Sequence, residues 1–399
     1  MNALRWLCLP VVCLGLTACE TTSSHPSVPL TGDPLVDGPA AIQNGPARDR
    51  VLWQYRMALA YLRRGQYPQA AAILDQALAR INAIYGPDKD AKKARSLFHE
   101  ESKKGFIGEP YERVMAFYYR GLLYWHAGEP DNARACFRNA QIIDADTENK
   151  TYAADYVLPD YLDGFITKQL GGDGADAMKR AFANARMWRP PAFDRNANVF
   201  FFVDYGPGPT KFATGEYSQE LRFQCHDSPV RNARVRVGGR DLKAPPYDDL
   251  CFQATTRGGR VMDHVLANKA VFKSTTAAVG TAAMITGAVL ATQHDTQTAG
   301  LAVMGAGLVA TIISAATTPA ADTRMWESLP LYLSFTFAQL PPGQQTATVE
   351  FLDASNRVIV NLTKTVTFTV PERPTVPGSG QTGDVVIFVS DKSTTPQTL

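Results

Sequence analysis

Residues 118–144 read YYRGLLYWHAGEPDNARACFRNAQIID, and residues 55–81 read YRMALAYLRRGQYPQAAAILDQALARI. Aligned without a gap, Ala58 meets Gly121, Tyr61 meets Tyr124 and Gly65 meets Gly128. Ala70 meets Ala133, Leu74 meets Phe137 and Ala77 meets Ala140. Self-similarity at one fixed offset marks a repeat architecture. The positions have a mechanical sense. Small residues let two antiparallel helices approach, the Gly turns the chain between them, and the aromatic or large aliphatic residue fills the space towards the next pair. These stretches decide the first half of the fold: paired helices, packed side by side.

The order small, Tyr, Gly, small, large, small resembles the tetratricopeptide repeat (TPR). The offset of 63 residues is nearly two of its usual periods of about 34. The polar stretch between the units, GPDKDAKKARSLFHEESKKGFIGEPYERV, is therefore an insertion or a decayed unit. A third helical pair is expected over about 159–187, with a poor motif match, as a terminal capping unit. The resemblance implies a concave groove lined by the first helix of each pair. The positions that match are Tyr55, Leu59, Leu62 and Arg63, then Tyr118, Leu122, Trp125 and His126. This lining is apolar and aromatic and suits a helix or peptide from a partner; the alternative is that the protein's own elements cover it.

Outward from the repeat, the N-terminus reads MNALRWLCLPVVCLGLTAC. Arg5, the apolar run Trp6–Leu16 and the small residues before Cys19 form a secretory signal, too short for a spanning helix. Leu16-Thr17-Ala18-Cys19 resembles a bacterial lipobox, which implies lipidation of Cys19. Glu20 does not match the Asp that retains such lipoproteins in the inner membrane, so the expected address is the outer membrane, facing the periplasm. Residues 19–47 are rich in Pro, Gly, Ser and Thr and read as a flexible tether.

Beyond residue 190 the pattern changes to short Val-, Phe- and Tyr-rich runs bounded by Gly, Pro and Asp. These include NVFFFVDYG, YSQELRFQC, DLCFQATT, LYLSFTFAQL and RVIVNLTKTVTFTV. They suggest an antiparallel, immunoglobulin-like sandwich. A helical insertion, 261–321, interrupts it with the small-residue hairpin 275–315, which carries Asp295 as its one charged group. Gly280, Ala283, Gly287, Gly300, Gly305 and Gly307 would allow close helix packing there. The hairpin is thus a packing device within the fold, a self-assembly element, or a membrane insert. The fold class is α+β: signal 1–18, tether 19–47, TPR-like helices 48–190, β-rich domain 191–370, and a linker and tail 371–399.

The segments EPYERVMAFYYRGLLYW, GPGPTKF, TTRGGRVMDHVLANKAVFKST and ADTRMWESLP are together similar to a family of Gram-negative TPR-containing envelope lipoproteins of unassigned function. That similarity implies architecture and location, but no reaction.

Six Cys, six His and a formal net charge of +2 bound the chemistry. Near-neutral charge argues against a nucleic-acid partner. In an oxidising compartment Cys225 and Cys251 can form a disulfide. FHEES lacks the second His of a zinc helix, and Cys225 and His226 are neighbours pointing to opposite faces of a strand. Arg257 and Arg260 around two Gly read as a turn before an anion cradle. No catalytic constellation, metal site or cofactor is expected. The function expected is a lipid-anchored scaffold for an envelope protein or peptide, in a secretion or surface-export system. The alternatives are an oligomer-forming or membrane-inserting lipoprotein acting through the hairpin and, more remotely, an enzyme with no recognisable motif.

Overall fold

A computed structural model describes residues 30–84, 105–145, 152–256, 321–372 and 383–399. Cys19, Arg257, Arg260 and the hairpin with Gly280, Ala283, Gly287, Gly300, Gly305 and Gly307 lie outside the described residues. The helices are α1 (Pro34–Asn44), α2 (Arg50–Arg63), α3 (Tyr67–Ile84), α4 (Pro110–His126), α5 (Pro130–Asp144), α6 (Val157–Gln169), α7 (Ala175–Asn184) and the short α8 (Leu250–Thr256).

The two aligned stretches become the helical pairs α2/α3 and α4/α5, and their shared Gly makes the same turn in both. Gly65 and Gly128 have φ of 72° and 78°, a left-handed conformation that costs Gly little. After α2, Gly65 N–H donates to Leu62 O and Gln66 N–H to Tyr61 O; after α4, Gly128 N–H donates to Trp125 O and Glu129 N–H to Tyr124 O. This is the Schellman cap, which satisfies the orphan carbonyls of a helix end. Gly171, at φ 85°, repeats it between α6 and α7, with Gly171 N–H on Lys168 O and Gly172 N–H on Thr167 O. The third pair is therefore built like the first two. Gly164 stands seven residues before Gly171, as Gly121 stands before Gly128 and Ala58 before Gly65. A Cβ on Gly164 would lie 2.5 Å from Met178 Cγ and 2.8 Å from Gly174 O, so this position is where α6 and α7 touch.

Eleven strands follow among the described residues: β1 (Val199–Pro207), β2 (Thr210–Thr214), β3 (Glu220–Gln224), β4 (Asn232–Val237), β5 (Arg240–Ala244), β6 (Pro246–Asp249), β7 (Pro330–Ala338), β8 (Gly343–Leu352), β9 (Lys364–Val370), β10 (Val385–Ser390) and β11 (Gln397–Thr398). One sheet has the order β10-β1-β7-β6, a second β11-β9-β8-β4-β5, and β2-β3 is a separate hairpin. The sheets are mixed, which corrects the purely antiparallel expectation: β10 runs parallel to β1 and β11 parallel to β9.

The first sheet is buried on both faces, which is why β1 reads as a continuous apolar run rather than an alternating one. Val199, Phe201, Val203 and Tyr205 share a core with Val235, Val349, Phe351, Val366 and Phe368 of the second sheet. The opposite face presents Phe200 and Phe202, with Leu333 and Phe335 of β7 and Val386 and Phe388 of β10. These belong to one core with the helices. Helices, first sheet and second sheet are three layers, and the boundary at 190 does not separate two independent cores.

Three further expectations are corrected. Part of the tether is helix α1, whose first turn is capped by the Asp33 carboxylate accepting from Leu35 N–H at 3.0 Å. Ion pairing of Arg64 with Asp33 at 2.6 Å fastens it to the repeat. The tail contains β10, buried between β1 and the helices, because VVIF supplies apolar side chains to both faces. DLCFQATT is helix α8, not a strand. The Asp249 carboxylate accepts from Cys251 N–H and Phe252 N–H at 2.8 and 3.2 Å, and this local capping directs the backbone into a helical turn.

Candidate functional site

The concave face of the repeat is occupied by the chain itself. Trp125 is fully buried. Its ring lies 4.5 Å from Phe200 and 6.0 Å from Phe202, and its Nε1 donates to the Asp384 carboxylate at 2.9 Å. Tyr118 meets Phe202 at 6.3 Å. Leu59, Leu62 and Leu122 are buried in the same core. Tyr55 stacks on Trp326 at 4.5 Å. Arg63 donates from Nη2 to Ser328 O at 2.7 Å, and its carbonyl accepts from Thr394 N–H and Gln397 Nε2. His126 is exposed, but its Nδ1 lies 2.9 Å from Val386 O, which makes Nδ1–H the donor. Partial desolvation of the ring, which packs edge-on against Tyr67 at 4.5 Å, holds its pKa below the usual imidazole value.

The residues assigned to a partner groove therefore pack into the core with β1, and several of them hold two further segments of this chain. One is the return from the insertion, 321–329; the other is the C-terminal stretch, 384–399. The open-groove reading of these positions is corrected, because every large side chain among them already has its apolar contacts in cis. Strand β10 is gripped on both edges. β1 pairs with one. On the other, Tyr67 OH accepts from Phe388 N–H at 2.9 Å and His126 takes Val386 O.

The return segment is locked by charge. Glu112 in the first turn of α4 is fully buried, accepts from Trp326 N–H at 2.6 Å and from Glu109 N–H at 2.7 Å, and pairs with Lys211 Nζ. Lys211 also donates to Arg324 O at 3.0 Å. Burial pushes the Glu112 carboxyl upward and Lys211 opposes it. Arg324 bridges Asp322 and Asp49, each at 2.7 Å.

Cys225 and Cys251 sit together as a disulfide, their Cα atoms 5.6 Å apart. The pair ties the end of the β2-β3 hairpin to α8, where the chain leaves for the insertion. Cys136 is a buried free thiol on α5.

An open feature lies at the seam between the last helical pair and the first sheet. A cavity of about 210 Å³ is lined by Asp155, Arg186, Tyr247, Asp248, Asp249 and Phe252, among others. Asp248 accepts from Val157 N–H at 2.7 Å and Leu158 N–H at 2.9 Å, capping α6 from a distant strand. Burial nevertheless raises its carboxyl to about 7, against these two donors. Met187, which also lines the cavity, and its neighbour Trp188 are 41% and 51% exposed. Sequence reasoning missed this site. The signals present were the paired Asp residues of PYDDLCFQ, at the start of a run with strand-like composition, and an aromatic between two arginines in RMWR.

Among the described residues, no group of three or more His, Cys, Asp or Glu residues is placed to hold a metal ion. Among them, too, no helix is long and apolar enough to cross a membrane. No curated protein and no solved structure is significantly similar to the chain. The tetratricopeptide repeat family model matches residues 53–76 and 114–139, so the chain contains tetratricopeptide repeats, a non-catalytic module of protein–protein interaction, in the first two helical pairs.

Proposed function

We propose that the chain is a lipid-anchored envelope scaffold. Its helical repeats join a protein partner during assembly or stabilisation of a secretion or surface-export system. The observation that carries the reading is the pair of matched repeats, α2/α3 and α4/α5. Since their concave face is filled in cis, the partner engages outward-facing surface. The exposed Met187 and Trp188 at the end of the third helical pair are the first candidates, because exposed aromatics between arginines make strong interface anchors. Cys19 carries the lipid and holds the chain at the outer membrane.

Two measurements test this. In-cell crosslinking should capture a partner that Trp188→Ser releases while the thermal unfolding midpoint stays unchanged. A partner retained by Trp188→Ser but lost on substitution elsewhere on the helices would move the surface; no specific partner at all would end the scaffold reading. For the anchor, Cys19→Ser should shift the chain from the membrane fraction to the soluble one. If it stays membrane-bound, the hairpin reading replaces the anchor.

A further inference from the structure

The seam cavity has the composition of a cation site. Three acidic side chains line it, those of Asp155, Asp248 and Asp249, beside one guanidinium, that of Arg186. They are not equivalent. Both oxygens of Asp248 are engaged by the backbone of α6. Asp249 uses Oδ1 for the cap of α8, and its Oδ2 accepts no hydrogen bond among the described residues. Tyr247 lines the same cavity and is 6% exposed. Its hydroxyl likewise makes no hydrogen bond among the described residues.

The aromatic wall gives the second half of the chemistry. The Arg186 guanidinium sits 4.0 Å from the centroid of Phe252 and 5.6 Å from that of Tyr152, two rings that meet edge to face at 6.0 Å. Arg186 is exposed and forms no ion pair among the described residues. Its position is held by ring faces rather than by a carboxylate. A cation within about 6 Å of a ring face is attracted by the ring quadrupole, and an anionic oxygen within reach adds a charge-assisted hydrogen bond. Arg186 thus shows in cis what this wall prefers.

We propose that the cavity binds an organic cation, an ammonium or guanidinium group on an apolar stem, seated against Phe252 and Tyr247 with its charge on the Asp249 carboxylate. Arg186 competes with the ligand for the Phe252 face. The site shares Met187 with the surface assigned to a partner, but it does not rest on the scaffold reading, since a cation can bind whether or not Trp188 holds a partner. The cation arrives either as a free amine or as an arginine side chain of a peptide, and the experiment separates the two.

The test is isothermal titration of the full chain with agmatine and, separately, with a capped serine-rich peptide carrying one arginine. Saturable binding of either supports the site, and the one that binds names the source. Removing the competitor with Arg186→Ala should tighten binding by about threefold or more. Asp249→Asn should weaken it by about tenfold while leaving the fold intact, because the Asn side-chain oxygen still caps α8. Phe252→Leu should weaken it too, with retained circular dichroism as the control for folding. Absence of saturable binding by both probes overturns the proposal. So does an Arg186→Ala chain that binds no more tightly, or an Asp249→Asn chain that binds equally well.

Discussion

Trp125→Ala distinguishes a residue of an open groove from one inside a core. In an open groove the substitution would remove a partner and leave stability alone. Here the indole is fully buried and packs on Phe200, Phe202 and Phe165. Truncating a buried Trp to Ala costs about 3–5 kcal/mol in transfer and cavity terms. The lost Nε1–H bond to Asp384 adds about 1 kcal/mol, at the low end for a charged acceptor, because that carboxylate is half-buried and regains water. The sum is about 4–6 kcal/mol, or at roughly 1.5 °C per kcal/mol for a chain of this length, a fall of about 6–9 °C in Tm. Trp125→Phe keeps most of the ring stack and should lose less than half of that. The assay is thermal unfolding followed by far-ultraviolet circular dichroism, with urea midpoints as a second measure. An unchanged Tm in Trp125→Ala would refute the filled-groove account, most decisively if the same variant released a bound protein.

The buried ion pair makes a second prediction. Lys211→Met leaves Glu112 without its counter-ion at full burial, at a cost of about 3–5 kcal/mol, and adding Glu112→Gln should recover part of the loss; strict additivity in urea unfolding would argue against direct coupling. The Cys225–Cys251 pair closes a loop with a sequence separation of 26, so reduction or Cys225→Ser should cost about 3 kcal/mol through the unfolded chain, read as a lower urea midpoint. Asp248 gives a pH dependence of defined sign. Its folded carboxyl titrates at about 7 against about 3.9 when unfolded, so the folded state holds the extra proton in between. Stability is then fully present below pH 4 and falls as pH rises through 7. Urea midpoints at pH 5 and pH 8 should show a smaller drop in Asp248→Asn than in the parent chain, and equal drops would remove Asp248 as the cause.

The repeat was legible because each signal was local. Gly65 and Gly128 announce their own turns, and Ala70, Ala77, Ala133 and Ala140 sit at helical spacing. The third pair was half legible. Gly164 and Gly171 keep the spacing of Gly121 and Gly128, and Ala183 keeps the place of Ala140, but after the turn GGDG the place of Ala133 is taken by Asp176, with Ala177 one position later. What covers the groove was not legible, because an apolar residue on a concave helix face has the same side chain whether its neighbour is a partner or Phe200. Helix α8 was misread for a related reason: LCFQATT has strand-like composition, and only the Asp249 cap, a side-chain contact, tips it to helix. The seam cavity combines residues near 155, 186 and 250, a proximity no single window of sequence contains.

The parallel strand β10 explains why the two halves cannot be assigned separate cores. A parallel neighbour for β1 cannot arrive through a tight hairpin turn; it needs a crossover connection, and here the chain first completes β9 in the other sheet. Once in place, β10 offers Ile387 and Val389 to the inter-sheet core and Val386 and Phe388 to the helices. Its outer edge would be an open template for another strand, but Tyr67 and His126 occupy its backbone groups. These two side chains come from different repeat units, so the edge is closed only when α3 and α4 are correctly stacked. The same stacking creates the concave face that Trp125 fills towards Phe200. The TPR pairs thus act first on their own chain, as the clamp of a C-terminal strand, and what they offer to other molecules is the outside of that clamp.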